Sequence, residues 1–251
     1  MHADSQTASP QERGIELSLV IPAHDEEAVI VECVDEAAHC MRELVGRPFE
    51  IIVVDDGSTD DTFERLRDIK SAVPELVALR FEANHGQTAA FDAGFRAARG
   101  QIVVTMDADM QNDPRDIPRL LALLARCDVA CGVREKRLDN LVRRVSSRIA
   151  NWVRNELTHE SVRDVGCSLR AVKTECLRRL KLYDGMHRFL PTLLRLDGWT
   201  VAETPVNHRP RVRGESKYGV GNRLFRGLRD LFAVRWMQSR WIHYRIQEKL
   251  V

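Results

Sequence analysis

Between residues 17 and 132, five short apolar runs alternate with amphipathic helical patterns, and few architectures accept that rhythm. The runs are Leu17–Pro22, Glu50–Val54, Glu75–Phe81, Ile102–Met106 and Asp128–Gly132. Glu50-Ile-Ile-Val-Val54 is β-branched at every apolar position, as expected for a strand buried on both faces. The stretches between them, Glu26–Glu43, Asp60–Ile69, Gly86–Ala98 and Pro114–Ala125, read as helices. Asp60 is a candidate cap for the second, Gly100 a candidate stop for the third, and Pro114 fits the first turn of the fourth. Alternating strand and helix predicts an α/β fold with a mostly parallel sheet covered by helices.

After residue 140 the rhythm changes. A basic helix is expected to about Glu156, then an irregular segment around Asp164–Arg170, two short helices, a strand near Trp199–Val206 and a long C-terminal helix. The predicted organisation is a flexible tail over 1–15, one domain over 16–218, and an amphipathic appendage over 219–251.

Charge is uneven. Residues 209–251 hold 11 Lys/Arg against 3 Asp/Glu, a net of +8, while the remainder holds 27 against 34, a net of −7. A basic C-terminal surface facing something anionic is the expectation. On a helical wheel Leu224, Phe225, Leu228, Leu231, Phe232, Trp236, Ile242 and Ile246 share one arc, with Arg223, Arg226, Arg229 and Arg240 largely opposite, interleaved with Met237, Trp241 and Tyr244. No run reaches the 18 or so apolar residues that span a bilayer, and no secretory h-region opens the sequence. The six cysteines lie in apolar or helical segments without a C-x-x-C pair, so they are expected to be buried thiols in a reducing compartment.

In open α/β sheets ligands sit beyond the carboxyl ends of the strands. There this sequence places Pro22-Ala-His-Asp-Glu-Glu27, Asp55-Asp-Gly-Ser-Thr-Asp60, Asn84-His-Gly-Gln87 and Asp107-Ala-Asp-Met-Gln111. If the chain stays extended past Met106, Asp107, Asp109 and Gln111 point one way and offer three oxygen ligands to a hard cation such as Mg²⁺. Two carboxylates at a buried strand end repel unless a cation joins them. Gly57 permits a tight turn close to a ligand. His24 and His85 are further polar candidates. Dinucleotide, P-loop and common hydrolase signatures are absent, as is a nucleic-acid module.

Leu19-Val-Ile-Pro-Ala-His-Asp-Glu-Glu27, Ile52-Val-Val-Asp-Asp-Gly-Ser-Thr-Asp60 and Met106-Asp-Ala-Asp-Met-Gln111, in this order, resemble family 2 inverting glycosyltransferases of the GT-A (Rossmann-like) fold. Asp164-Val-Gly-Cys-Ser-Leu-Arg-Ala171, Gly185-Met-His-Arg188 and Arg213-Gly-Glu-Ser-Lys-Tyr218 resemble the polyprenyl-phosphate sugar synthases, the dolichyl-phosphate mannosyltransferase group. The likeness spans residues 16–235. It implies transfer of a hexose from GDP-mannose or a UDP-sugar to a polyprenyl phosphate with Mg²⁺ or Mn²⁺. The alternative is a family 2 enzyme acting on a glycan or protein.

The resemblance also implies residue roles. Pro22, His24, Asp25 and Glu26 correspond to the family's Pro-x-Tyr-Asn-Glu nucleotide segment, with His for Tyr and Asp for Asn. Asp55 and Asp56 match the nucleoside-binding pair; Asp107, Asp109 and Gln111 match the metal and diphosphate site. Arg134, Arg143, Ser147, Arg170 and Ser216 fall on acceptor-phosphate positions, and Arg213 and Lys217 on a loop over the donor phosphates. Asp164 is a catalytic candidate, with capping or pairing to a nearby arginine as its other role. Many bacterial relatives carry C-terminal transmembrane helices that this sequence does not show. Peripheral attachment to the cytoplasmic face of a membrane, bacterial inner membrane above all, is therefore expected, through the C-terminal helix, a membrane-anchoring partner or a homo-oligomer. Gln238-Ser-Arg-Trp241 is one residue short of the processive synthases' Gln-x-x-Arg-Trp.

Overall fold

The computed structural model describes residues 14–134, 163–210, 220–242 and 247–248. Seven strands form one sheet: β1 (Leu17–Ala23), β2 (Phe49–Asp55), β3 (Leu76–Arg80), β4 (Ile102–Thr105), β5 (Val129–Arg134), β6 (Arg170–Lys173) and β7 (Val201–Val206). Their order is β3-β2-β1-β4-β6-β5-β7. The helices are α1 (Ile30–Cys40), α2 (Thr62–Ile69), α3 (Gln87–Ala97), α4 (Ile117–Leu123), α5 (Thr174–Leu177), α6 (Leu190–Leu196) and α7 (Val220–Arg240).

Strand alternation explains the two-faced core. Leu17, Leu19, Ile21, Ile51 and Val53 point to one side, packing with Ile30, Val34, Leu66 and Leu120 from α1, α2 and α4. Val20, Ile52 and Val54 point to the other, against Ala90 and Phe91 of α3 and Leu190 and Leu194 of α6. All six cysteines are free and buried, as expected.

Among the described residues the expected strands and helices form with boundaries moved by a few residues, and three details differ; the basic helix expected to about Glu156 lies outside the described residues. First, β6 forms where the irregular segment Asp164–Arg170 is expected to give way to short helices, and no strand is expected there. It runs antiparallel between β4 and β5, which makes the otherwise parallel sheet mixed, in keeping with the mostly parallel sheet expected. Second, α3 does not stop at Gly100. Ala98 turns extended (φ −64°, ψ 126°), and Gly100 instead permits close approach to β1, where a Cβ would lie 2.7 Å from the carbonyl carbon of Leu17. Third, the inward stripe of α7 differs from the wheel. Leu231 and Val234 are buried against Met186, Phe189 and Leu193, whereas Phe232 and Trp236, placed on the same arc as Leu231, stand out in solvent. A helix laid on a small satellite core needs only a narrow stripe, which leaves the rest of the apolar arc outside. Among the described residues no helix is long and apolar enough to cross a membrane.

Candidate active site

The carboxyl ends of β1, β2, β3 and β4 carry the four polar loops, and the loops are tied to one another. Asp25 sits at φ 50°, a left-handed conformation that Asp and Asn tolerate better than most residues. There its N–H donates to Ser58 Oγ at 2.9 Å, while its Oδ1 accepts the Thr59 N–H at 2.8 Å. Glu26 N–H donates to Thr62 Oγ1 at 2.8 Å. Glu27 Oε2 accepts the Asp61 N–H at 3.0 Å, and Asp60 Oδ1 takes the first N–H of α2, that of Thr62, at 3.0 Å, although the cap position itself is Asp61, one residue later than expected and without a side-chain cap bond. Pro22 and His24 lie on the same β1 end.

The two carboxylates closing β2 have different duties. Asp56 holds the loop after β3: its Oδ1 accepts the His85 N–H at 2.7 Å, and its Oδ2 accepts from Gly86 N at 2.9 Å and Asn84 Nδ2 at 3.1 Å. Asp55 Oδ1 accepts the Ser58 N–H at 2.9 Å. Its Oδ2 is buried, has no hydrogen-bond partner and lies 3.4 Å from Arg80 Nε. Of the pair, Asp55 has the carboxylate oxygen that no hydrogen bond engages, and it faces the Arg80 guanidinium.

The premise of an extended chain past Met106 does not hold. β4 ends at Thr105, and the backbone turns through Met110 at φ 62°, with the Gln111 N–H on Asp109 Oδ1 at 3.1 Å. Period-two alternation therefore does not align Asp107, Asp109 and Gln111. The two aspartates still interact: burial, and then the Asp109 charge, push the Asp107 carboxyl up to about 6. Asn112 braces the turn, its Oδ1 accepting the Asp107 N–H at 3.0 Å and the Ser168 hydroxyl at 2.9 Å. Two carboxylates straining against each other in a half-buried turn suit a divalent cation. Among the described residues no cluster of three or more His, Cys, Asp or Glu side chains could hold one alone. That donor set matches Mg²⁺-like ions, which take one or two carboxylates and complete their shell with substrate phosphates and water.

Behind this turn lie two arginines. Arg134, at the end of β5, makes a bidentate pair with Asp164: Nε to Oδ2 at 2.7 Å and Nη2 to Oδ1 at 2.8 Å. Asp164 thus takes the pairing role foreseen for it. Arg170 is 4% exposed, its Nη1 and Nη2 donating to the carbonyls of His187 and Val165, both at 3.0 Å. Arg170, matched to an acceptor-phosphate position, is thus held by two backbone carbonyls. Its charge, with that of Arg134, acts on Asp107 from beneath and favours the ionised carboxylate. Arg143, Ser147, Arg213, Ser216 and Lys217 lie outside the described residues. The sequence reading missed the bracing by Asn112 and Ser168 and the contact of Gln87 with Asp107; the polar Asn84–Gln87 loop was the available signal for the last.

The seven-stranded mixed sheet with acidic loops at its carboxyl edge has the GT-A fold. The chain belongs to glycosyl transferase family 2, whose family model matches residues 18–180. It is 39% identical over 230 residues to dodecaprenyl-phosphate galacturonate synthase of Rhizobium johnstonii, covering 88% of this chain and 67% of that enzyme. It is 36% identical over 207 residues to the undecaprenyl-phosphate 4-deoxy-4-formamido-L-arabinose transferase of Edwardsiella ictaluri, covering 81% of this chain and 63% of that one. The chain thus spans about two thirds of the length of these polyprenyl-phosphate sugar transferases. Among solved structures it resembles glucosyl-3-phosphoglycerate synthase of Mycobacterium tuberculosis in complex with Mn²⁺, UDP and phosphoglyceric acid (TM-score 0.67, 24% identity, 92% of this chain and 80% of that one). It also resembles a mannosyltransferase of Pyrobaculum calidifontis in complex with GDP-mannose and Mn²⁺ (TM-score 0.64, 20% identity, 94% and 66%).

Proposed function

We propose that the chain transfers a hexose from a nucleotide-sugar to a polyprenyl phosphate, with inversion, and that Mg²⁺ or Mn²⁺ assists. The observation that carries this reading is the placement of Asp55, Asp107 and Asp109 at the carboxyl ends of β2 and β4, either side of β1, in a family 2 fold whose relatives are named as polyprenyl-phosphate sugar transferases. Asp55, beside the Pro22–Glu26 loop, would take the nucleoside; Asp107, Asp109 and Gln111 would hold the cation and diphosphate. A cation bound there would stabilise the charge gathering on the departing nucleoside diphosphate.

The acceptor is already a nucleophile. A phosphate monoester has a second pKa of about 6 and is largely dianionic near neutral pH. Positioning then matters more than a general base. Arg143 and Ser147, one helical turn apart in the expected basic helix, are the proposed grip on this phosphate, with Ser216; Arg213 and Lys217 are proposed for the donor phosphates. Arg134 and Asp164 would shape the floor of the site as a pair, with Arg170 beneath. The donor is GDP-mannose or a UDP-sugar, and a screen of GDP- and UDP-sugars against a short-chain polyprenyl phosphate decides it. Transfer from one nucleotide class is expected; hydrolysis alone across the panel contradicts the reading.

The appendage over 219–251 is proposed to rest on the cytoplasmic face of the membrane that carries the acceptor, directly or with a membrane partner or second copy. Phe232 and Trp236 are 62% and 64% exposed, and Arg229 and Arg240 are exposed at i,i+3 and i,i+4 from them, so these two arginines share the rings' open side instead of standing opposite as the wheel placed them. Tryptophan favours the bilayer interface, and arginine meets lipid phosphate. Each basic residue near an anionic surface contributes roughly 1 kcal/mol, about a fivefold change in partitioning. The chain should sediment with anionic vesicles at low salt and release at high salt, with Trp236→Ala and Arg240→Glu each weakening retention severalfold. Equal recovery with neutral and anionic vesicles argues against this surface.

A further inference from the structure

We propose that Gln87 is a positioning residue for the cation-binding carboxylates, its side-chain amide fixing the rotation of Asp107. The inference rests on the cation reading above. Gln87 Nε2 donates to Asp107 Oδ1 at 2.8 Å, across twenty residues of sequence. Outer hydrogen bonds of this kind orient metal ligands, and losing one typically costs 10–100-fold in metal affinity. A neutral amide suits the task. It orients the carboxylate without cancelling the charge that attracts a cation, as a lysine or arginine at the same place would.

The segment that presents Gln87 is fixed on both sides. Upstream, Gly86 adopts φ 90°, and its N–H and that of His85 are held by the Asp56 carboxylate. Downstream, Thr88 Oγ1 accepts the Gly185 N–H at 3.0 Å and bonds His187 Nδ1 at 2.7 Å. Burial, then the charges of Arg188 and Arg170, hold His187 neutral, its pKa lowered to about 3. Gln87 begins α3 between these two anchors, so its side chain starts from a backbone with little freedom. Residues 84–88 thereby join the nucleoside carboxylates of β2 to the carboxylates after β4. Neither the acidic motif nor its family match identifies Gln87.

The test is Mn²⁺ titration of the full chain, followed by electron paramagnetic resonance of free Mn²⁺, with UDP and with GDP in parallel arms. Gln87 is exposed, so Gln87→Met, which keeps the length and loses the donor, should leave the melting temperature unchanged. Its Mn²⁺ dissociation constant should rise 10–100-fold with whichever nucleotide binds. Metal-free nucleotide binding should match wild type, a split that a merely structural role for Gln87 does not produce. Equal Mn²⁺ affinity in the two proteins overturns the positioning role while leaving the cation reading intact. If wild type takes up no Mn²⁺ in either arm, the cation reading fails and the inference falls with it.

Discussion

Asp109→Asn should fold like wild type and lose about 10²–10³-fold in transfer rate, the range seen when one electrostatic stabiliser of a transition state is removed. The substitution is close to a pure charge deletion. Asp109 Oδ1 accepts the Gln111 N–H at 3.1 Å, and an asparagine still presents an oxygen there, so the turn through Met110 keeps its hydrogen bond. What disappears is half of the paired negative charge at the end of β4. Thermal melting and nucleotide-free circular dichroism should overlay wild type, while sugar transfer with saturating Mg²⁺ or Mn²⁺ drops. EDTA treatment of wild type should reproduce the loss, and readdition of the cation should restore it. Full activity in EDTA contradicts the assignment of Asp107 and Asp109 to a cation.

Gly57→Ala should be the most damaging small substitution in the donor loops. Gly57 has φ 65°, where a non-glycine residue is strained by roughly 1–2 kcal/mol. A Cβ built there would lie 2.3 Å from the carbonyl carbon of Ala83 and 2.6 Å from the amide nitrogen of Asn84. These are backbone atoms, so no side-chain rotation relieves the clash, and the loop held by Asp56 must move. Strain and displacement together should cost about 2–4 kcal/mol of stability. Because residues 84–86 are the ones bound to the Asp56 carboxylate, the same shift should weaken nucleotide binding. Chemical denaturation and nucleotide titration measure the two effects. Wild-type stability together with wild-type affinity contradicts the packing described here.

The strands β1 to β5 were legible because buried parallel strands need continuous β-branched or apolar runs, and Ile51-Ile-Val-Val54 is such a run. β6 was not. Arg170-Ala-Val-Lys173 is four residues long and opens on a charged side chain, so its strand character comes from pairing with β4 and β5 on either side. The acidic motifs announced the site, but not the division of labour inside it. Asp55 and Asp56 are neighbours of identical chemistry in sequence, yet alternation sends one into the core beside Arg80 and the other onto the loop after β3. Similarly, Asp107-x-Asp109 reads as two ligands on an extended strand, whereas the turn at Met110 makes their proximity a product of the loop. The α7 wheel grouped Leu231 with Phe232 and Trp236; tertiary packing chose Leu231 and Val234 and left both rings outside. In each case side-chain chemistry was readable, while partners distant in sequence decided its use.

The central claim is that the acceptor is a lipid-linked phosphate. It is tested most directly by incubating the chain, its divalent cation and a radiolabelled nucleotide-sugar with three acceptors: a short polyprenyl phosphate, the matching polyprenol without phosphate, and an oligosaccharide. The account predicts label in the organic phase only with the polyprenyl phosphate, released by mild acid as free sugar. Label incorporated into the oligosaccharide, with none on the polyprenyl phosphate, would contradict it.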